Sequence, residues 1–274
     1  MNSNDLETKI LKSIFTEEIT LLNSFLGGNV SKKVCRNEHR AYQVGKNKVA
    51  VKKFKNSKSS SREIKFYNFF AENPLALTPK VHYMDENFLI TDFINNTGQN
   101  LELTIVDWAN IHSETINSEI TGFERFYIEK EIEAIIKPNC ISPKIKEQLS
   151  RKLSKPLKKE MLSLTHGDLY FANILNDGSN NYYIDFESGG RAHPCRDLSL
   201  LLFNHPNMQE EIIETYKSTI KFYYDNIDAD IEKFHLIKLC QILIGLNRDS
   251  HLPSNYKTEF TNKAEKQIKA IINN

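Results

Sequence analysis

The sequence predicts an α+β, two-lobed protein, with a small β-rich N-terminal lobe (residues 1–93) and a larger α-helical C-terminal lobe (residues 94–274). Three observations predict it. Short β-like runs are confined to residues 30–94, and apolar residues at helical spacing dominate from about residue 100 onward. A single apolar, turn-rich stretch at 165–197 interrupts the helical part. A length of 274 residues suits one large domain or two modest ones, and 10 Gly with 8 Pro are too few for a turn-dense all-β fold.

Taken in order, residues 5–26 read as an amphipathic helix or helix pair, with Leu6, Ile10, Leu11, Ile14 and Phe15 at helical spacing. Val49-Ala50-Val51 ends a short strand, and residues 60–70 form a helix. Val81–Met84 and Phe88–Thr91 are strands around the turn Asp85-Glu86-Asn87. Asp92–Ile94 joins the lobes. Helices are expected at Leu101–His112, Phe123–Ile136, Ile145–Leu164, Gln209–Tyr224 and Ile231–Leu246. Between them, Ile174-Leu175 and Tyr182-Tyr183-Ile184 flank six turn-forming residues and should pair as a hairpin.

Composition excludes several classes. Lys plus Arg (36) nearly cancels Asp plus Glu (35), which argues against a dedicated nucleic-acid binder. The four cysteines, Cys35, Cys140, Cys195 and Cys240, form no Cys-x-x-Cys pair, so neither a disulfide framework nor a zinc site is expected. The N-terminus lacks the basic start and apolar run of a signal peptide, and no apolar stretch approaches the ~20 residues that span a bilayer. A cytoplasmic protein with no membrane and no nucleic-acid partner is the expectation. The charge is uneven all the same: residues 32–65 hold a basic excess opposed only by Glu38 and Glu63, which suits either a solvated surface or an anionic ligand.

The chemistry concentrates in His166-Gly-Asp168-Leu-Tyr-Phe-Ala-Asn173 and Ile184-Asp185-Phe186-Glu187. The hairpin brings Asn173 and Asp185 to one neighbourhood, with Asp168 five positions before Asn173. An amide and a carboxylate oxygen on adjacent strands are what Mg²⁺ requires. A further carboxylate nearby can accept or orient a hydroxyl proton, and the combination suits phosphoryl transfer. The competing reading makes all three plain turn formers. No Gly-x-Ser-x-Gly elbow supports a serine hydrolase, and Pro194-Cys195 lacks the second cysteine of a zinc deaminase.

His166-Gly-Asp168 with Asn173, then Ile184-Asp185-Phe186-Glu187, then Asp197-Leu198-Ser199, resembles the core of the aminoglycoside phosphotransferase and choline kinase-like family. The strong match covers about 164–201, and the two-lobed layout extends it from roughly residue 25. The resemblance implies a protein-kinase-like fold and an ATP- and Mg²⁺-dependent phosphotransferase acting on a hydroxyl group of a small molecule. Aminoglycosides, choline or related amino alcohols, sugars and amino acids are the acceptors in view. It makes Asp168 the catalytic base or the group orienting the acceptor hydroxyl, and Asn173 and Asp185 the Mg²⁺ ligands. His166 would brace the loop and Asp197 would anchor it. The alternative is a catalytically idle nucleotide-binding module that regulates a partner.

Upstream, Val49-Ala-Val-Lys52 matches the strand that presents a phosphate-binding lysine, and alternation places Lys52 with the buried set. Glu63 either pairs with Lys52 or closes a capping box with Ser60, satisfying only its own helix start. No Gly-x-Gly-x-x-Gly occurs, so the candidates for the loop over the phosphates are Gly27–Ser31 and Cys35–Arg40. Asp92 and Ile94 would pair with adenine through their backbone, or serve only as linker. For the acceptor, the acids of 114–133 with Asp225, Asp228, Asp230 and Glu232 suit either a polycation or a solvated surface. Trp108, Phe123, Phe126 and Tyr127 suit either a cage for a quaternary amine or core.

Overall fold

The computed structural model describes residues 3–23, 37–136, 143–157, 160–225, 227–248 and 253–273. In chain order the elements are α1 (Ser3–Ile14), β1 (Ile19–Asn23), β2 (Glu38–Val44), β3 (Asn47–Lys53), α2 (Ser57–Glu72), β4 (Val81–Met84), β5 (Phe88–Asp92) and α3 (Leu101–Thr115). There follow α4 (Ile128–Ile136), α5 (Pro143–Leu153), β6 (Ser163–Thr165), β7 (Ile174–Asn176), β8 (Asn181–Tyr183) and β9 (Gly190–Ala192). The chain ends with α6 (Cys195–Asn204), α7 (Gln209–Thr219), α8 (Ile227–Arg248) and α9 (Ser254–Asn273).

Two compact units result. The first comprises Met1–Asn100 together with Phe171–Ser188, the second Leu101–Tyr170 together with Gly189–Asn274. Hydrogen bonds draw the later segment into the first unit: Thr97 N donates to Asn176 O at 2.7 Å, Tyr183 N to Leu77 O at 2.9 Å and Asn181 Nδ2 to Asn100 O at 2.9 Å.

The first unit is built on a five-stranded antiparallel sheet of order β1-β2-β3-β5-β4. The β2–β3 hairpin turns at Gly45-Lys46, where Gly45 takes φ +55°, a left-handed conformation that glycine adopts without steric cost. Period-two alternation puts Val49 and Val51 on one face, where they join Leu11 of α1, Tyr42, Val44, Phe88 and Ile90 in a buried cluster. Ala50 and Lys52 take the other face. Helix α2 starts at Asn56, whose side chain accepts from Ser59 N at 2.9 Å as its N-cap. The Asp85 turn forms as expected, with Asp85 Oδ1 accepting from Asn87 N and Phe88 N.

The second unit is mainly helical. A core of this unit joins Leu149 and Leu153 of α5, Phe203 of α6, Leu236, Ile237, Leu239 and Cys240 of α8, and Ala264 and Ile268 of α9. Strands β6 and β9 pair antiparallel beside it.

Several sequence expectations are corrected. Residues 5–26 are not helical throughout: the helix stops at Ile14 and Ile19–Asn23 becomes an edge strand, pairing with β2. β-branched Thr16, Ile19 and Thr20 favour that outcome, and sheet pairing decides it. The helix expected over Ile145–Leu164 ends at Leu153, because Pro156 cannot continue it, and Ser163–Thr165 is a strand. Residues 123–127 precede α4 rather than belonging to it; Phe126 N and Glu124 O bond with Arg191 of β9. Helix α7 ends at Thr219, short of the expected Tyr224.

Candidate active site

The face of the sheet opposite the α1 core carries the polar cluster. Lys52 on β3 is 6% exposed, and its Nζ lies 2.5 Å from Glu63 Oε2, 2.7 Å from Asp185 Oδ1 and 3.1 Å from Glu187 Oε1. The eleven residues from Lys52 to Glu63 suffice because β3 ends at Lys53 and α2 begins at Ser57, so the second helical turn faces back onto the strand. Glu63 therefore does not close a capping box. Asn56 is the cap, and the Glu63 carboxylate, 1% exposed, is spent on Lys52.

The electrostatics are those of one ammonium among three carboxylates. Burial works against the Lys52 charge, but Glu63, then Asp185 and Glu187, outweigh it and raise its pKa above the usual lysine value. Burial pushes the Glu63 carboxyl up to about 7, against the pull of Lys52 and with the push of Asp185. His39, opposite Lys52 in the β2–β3 register, is driven down to about 4 by burial and then by Lys52, with Asp185 offsetting part, so it is neutral at physiological pH.

The hairpin of β7 and β8 forms with Ile174 opposite Tyr183, and Ile184 N donates to Asn173 O at 3.1 Å, which sets Asn173 beside Asp185 at its open end. Asp185 sits at φ +65°, uncommon for a residue with a side chain and worth about 1–3 kcal/mol of strain. Packing holds it there. Phe186 is fully buried, stacked on Phe66 with ring centroids 4.8 Å apart and edge-on to Tyr67 at 5.7 Å. Arg62 Nη1 donates to Glu187 O at 2.9 Å, and Asn37 Nδ2 donates to the Glu187 carboxylate.

Above this cluster lies a cavity of about 540 Å³ within the first unit. Lys52, Glu63, Asn173 and Asp185 form its polar end, Asp92–Ile94 its opposite margin, and Ala50, Leu89, Leu175 and Ile184 its apolar walls. Asp92 N donates to Lys80 O at 2.9 Å and Phe93 N to Lys48 O at 3.1 Å, on opposite sides of the strand. Ile94 N has no hydrogen-bond acceptor among the described residues. The Asp92 carboxylate is engaged by His82 Nε2 at 2.6 Å, so what Asp92 offers the cavity is its backbone.

A divalent metal ion fits the donor set. The carboxylate oxygens of Glu63, Asp185 and Glu187 lie within 4.8 Å of one another, and with Lys52 the ionised cluster carries an excess of two negative charges. All the donors are hard oxygens, as Mg²⁺ prefers. Glu187 is the residue the sequence reading left without a role. The signal was its place two residues after Asp185, within the same short motif.

Asp168 belongs to the second unit. It follows β6 in the loop Thr165–Asp168, is partly exposed, and its N–H points to His166 Nδ1 at 3.4 Å. The loop is pinned by Asp197, 2% exposed at the start of α6, which accepts from His166 N and Gly167 N at 2.8 Å each and from His112 Nε2 at 3.2 Å. Gly167 takes φ +78°, open to glycine, and this lets two successive amides face one carboxylate. Burial works to raise the Asp197 pKa, but His112, His166 and the Gly167 amide prevail and hold it below the usual carboxylate value. His112 is set in turn by Tyr216 Oη at 2.9 Å from its Nδ1, and neither residue was legible in the motif.

Trp108 is core, 1% exposed and edge-on to His166 at 5.4 Å. Asp228 and Glu232 pair with Lys217 and Lys152 at the surface, and Asp230 is buried against Tyr224. The loop candidate Gly27–Ser31 lies outside the described residues, as do Cys35 and Arg36, while Glu38–Arg40 is strand rather than loop.

No protein-family model matches the sequence, and no curated protein matches it. Solved structures do. A microcompartment-associated aminopropanol kinase aligns over 97% of this chain and 96% of its own, with TM-score 0.68 and 13% identity. Choline kinase LicA of Streptococcus pneumoniae aligns over 97% and 99%, with TM-score 0.65 and 16% identity. The fold is that of the aminoglycoside phosphotransferases and choline kinases. A spectinomycin phosphotransferase solved with ADP and spectinomycin aligns over 98% and 97%, with TM-score 0.63 and 15% identity, and LicA is also solved with AMP. Proteins of this aminoglycoside phosphotransferase and choline kinase fold thus include small-molecule kinases that bind nucleotides. Among the described residues no helix is long and apolar enough to cross a membrane.

Proposed function

We propose that this chain is an ATP- and Mg²⁺-dependent phosphotransferase that transfers the γ-phosphoryl group to a hydroxyl of a small molecule. The observation that carries the reading is the buried Lys52 ammonium, gripped by Glu63 and Asp185 at the polar end of a cavity whose far margin holds an Ile94 amide unpaired among the described residues. Ile94 N–H and Asp92 C=O would take the adenine edge between Ala50, Leu175 and Ile184. Lys52 would reach the phosphates as a fixed point charge, its position set by Glu63. Asn173 and Asp185 would hold Mg²⁺, which when bound neutralises phosphate charge, with Glu187 next to them. Residues 1–93 would serve as the nucleotide-binding lobe and 94–274 as the catalytic and acceptor-binding lobe.

Asp168 would accept the proton of the attacking hydroxyl. The acceptor oxygen forms its bond to the γ-phosphorus as the bond to the β–γ bridging oxygen breaks, leaving ADP. Asp197 holds the two successive amides of His166 and Gly167 and would so fix where the Asp168 carboxylate points. The idle-module alternative drew on the glycine-poor nucleotide loop and on doubt about Glu63, and the 2.5 Å Lys52–Glu63 pair weighs against the second of these grounds.

The test is an ADP-release screen across aminoglycosides, amino alcohols, sugars, hydroxy acids and amino acids, with and without Mg²⁺. Release that requires both an acceptor and Mg²⁺ is expected. Nucleotide binding without phosphate transfer to any hydroxyl compound would favour the idle module instead.

A further inference from the structure

Strand β2 runs antiparallel to β3 with His39 directly opposite Lys52 and Ala41 opposite Ala50. Side chains directly opposite each other in such a pair share a face, with Cβ atoms about 5 Å apart. The alternate β2 residues face the other way: Arg40 Nη1 and Tyr42 Oη donate to the Glu7 carboxylate of α1 at 2.8 and 2.5 Å. Alternation therefore turns His39 toward the 540 Å³ cavity, which it lines together with Lys52.

On the other side of β3, strand β5 places Leu89 opposite Lys52, an apolar wall residue of the same cavity. A second apolar side chain would close the β2 side equally well. His39 brings two ring nitrogens there instead, and its imidazole is partly buried and makes no hydrogen bond or ion pair with any described residue. Nor is it a counter-ion for the carboxylates around Lys52, because burial and then Lys52 keep the ring neutral at physiological pH. One nitrogen then carries an N–H and the other a lone pair. A polar ring partly withdrawn from water, with no partner of its own, favours a ligand that supplies one. The sequence also holds no Gly-x-Gly-x-x-Gly whose successive amides would cradle phosphates, so a donor on the strand has a task to fill.

We propose that His39 is a phosphate ligand of the nucleotide site, its imidazole N–H donating to a phosphate oxygen of the nucleoside di- or triphosphate that Lys52 pairs with. The inference rests on nucleotide binding in the reading above and is independent of the acceptor. A neutral donor adds no like charge beside Lys52; it fixes the direction of the phosphate where the ammonium supplies attraction. Asp92, at the margin assigned to the base, pairs with Val49, three residues or about 10 Å back along β3 from Lys52. His39 therefore acts on the phosphates and not on the base.

Wild type, His39→Leu and His39→Gln, each as the full chain with Mg²⁺, are titrated by calorimetry with adenosine, ADP and the non-hydrolysable β,γ-imido analogue of ATP. His39→Leu should weaken ADP and the analogue about 10- to 100-fold and change adenosine by less than about two-fold. Glutamine keeps an N–H donor on a side chain of similar reach and should restore most of the loss. A second readout leaves the binding protein unaltered: wild type carries ring-¹⁵N histidine, the His39 resonances are assigned by their absence in His39→Gln, and ADP and inorganic tripolyphosphate are titrated by NMR. Both should move those resonances to saturation. The proposal is overturned if His39→Leu binds ADP and the analogue as wild type does, or if neither ADP nor tripolyphosphate moves the His39 resonances. It is overturned equally if adenosine weakens as much as ADP, which marks a wall residue. Wild type that binds none of the nucleotides would overturn the nucleotide reading as well. If the nucleotides follow the expected pattern but no acceptor elicits ADP release, the phosphotransferase reading falls and the assignment of His39 stands.

Discussion

Replacing Asp197 by Asn tests whether the loop before Asp168 is held by one buried carboxylate. Asp197 offers two oxygens, one to His166 N and one to Gly167 N, both at 2.8 Å, with His112 adding a third bond. Asparagine keeps one acceptor and turns a donor toward the other amide. One buried N–H then loses its partner, which costs about 1–3 kcal/mol, and the surviving bonds lose their charge assistance, about another 1 kcal/mol. Relief from burying a carboxylate offsets part, so a net loss of roughly 1–3 kcal/mol is expected. The single tryptophan, Trp108, lies 5.4 Å from the His166 ring, so its fluorescence reports this very region. Urea unfolding followed by fluorescence and by circular dichroism should show the midpoint falling by on the order of 1 M. Catalysis should fall even where the variant is fully folded, because Asp168 loses its fixed loop. A variant within about 0.5 kcal/mol of wild type would refute the account of the loop.

Asp168→Asn should lower acceptor-dependent ADP release by about 10²- to 10⁴-fold with nucleotide affinity retained, measured by a coupled assay and by calorimetry; full turnover would take Asp168 out of the mechanism. Asp185→Ala should remove the Mg²⁺ dependence of nucleotide binding, at a cost of roughly 10- to 100-fold in affinity when Mg²⁺ is present, and unchanged affinity would rule it out as a ligand. Phe186→Ala, which empties a fully buried ring site stacked on Phe66, should cost about 3–5 kcal/mol in urea unfolding, and a loss below about 1 kcal/mol would contradict that packing. His235 supplies a pH test. Burial lowers its pKa to about 4 against 6.5 when unfolded, despite bonds to Gln267 and to Ser199 O. The unfolded chain therefore takes up the proton first, so this stability is intact above pH 6.5 and lost as pH falls toward 4. About 2 kcal/mol should disappear between pH 7 and pH 5, and His235→Gln should lack that share of the slope; parallel slopes would refute it.

What the sequence made legible followed from local chemistry. The strand bearing Lys52, the turns at Asp85 and Asp177, and the hairpin setting Asn173 beside Asp185 all rest on alternation and on side chains that bond their own backbone. Readings failed where distant partners decide. Ile19–Asn23 carries a helix-like pattern until β2 supplies a ladder, and β6 is three residues long, too short for periodicity to register. Glu63 stood open between cap and ion pair because Ser60-x-x-Glu63 has the spacing of a box, while Asn56, four residues earlier, does the capping. Glu187, His39, His112 and Tyr216 earn their positions only through contacts across the sheet or between helices. Local sequence does not encode those contacts.

The position of Asp185, 133 residues beyond the lysine it meets, has a consequence for synthesis on the ribosome. At about 5–20 residues per second, the Lys52 side chain waits on the order of ten seconds before that carboxylate exists. Glu63, eleven residues on, emerges almost at once and can shelter the ammonium throughout the interval. A nascent chain carrying Glu63→Gln would meanwhile expose an unaccompanied cation on a half-formed sheet, and its yield of folded protein should depend on chaperones far more than its final stability suggests.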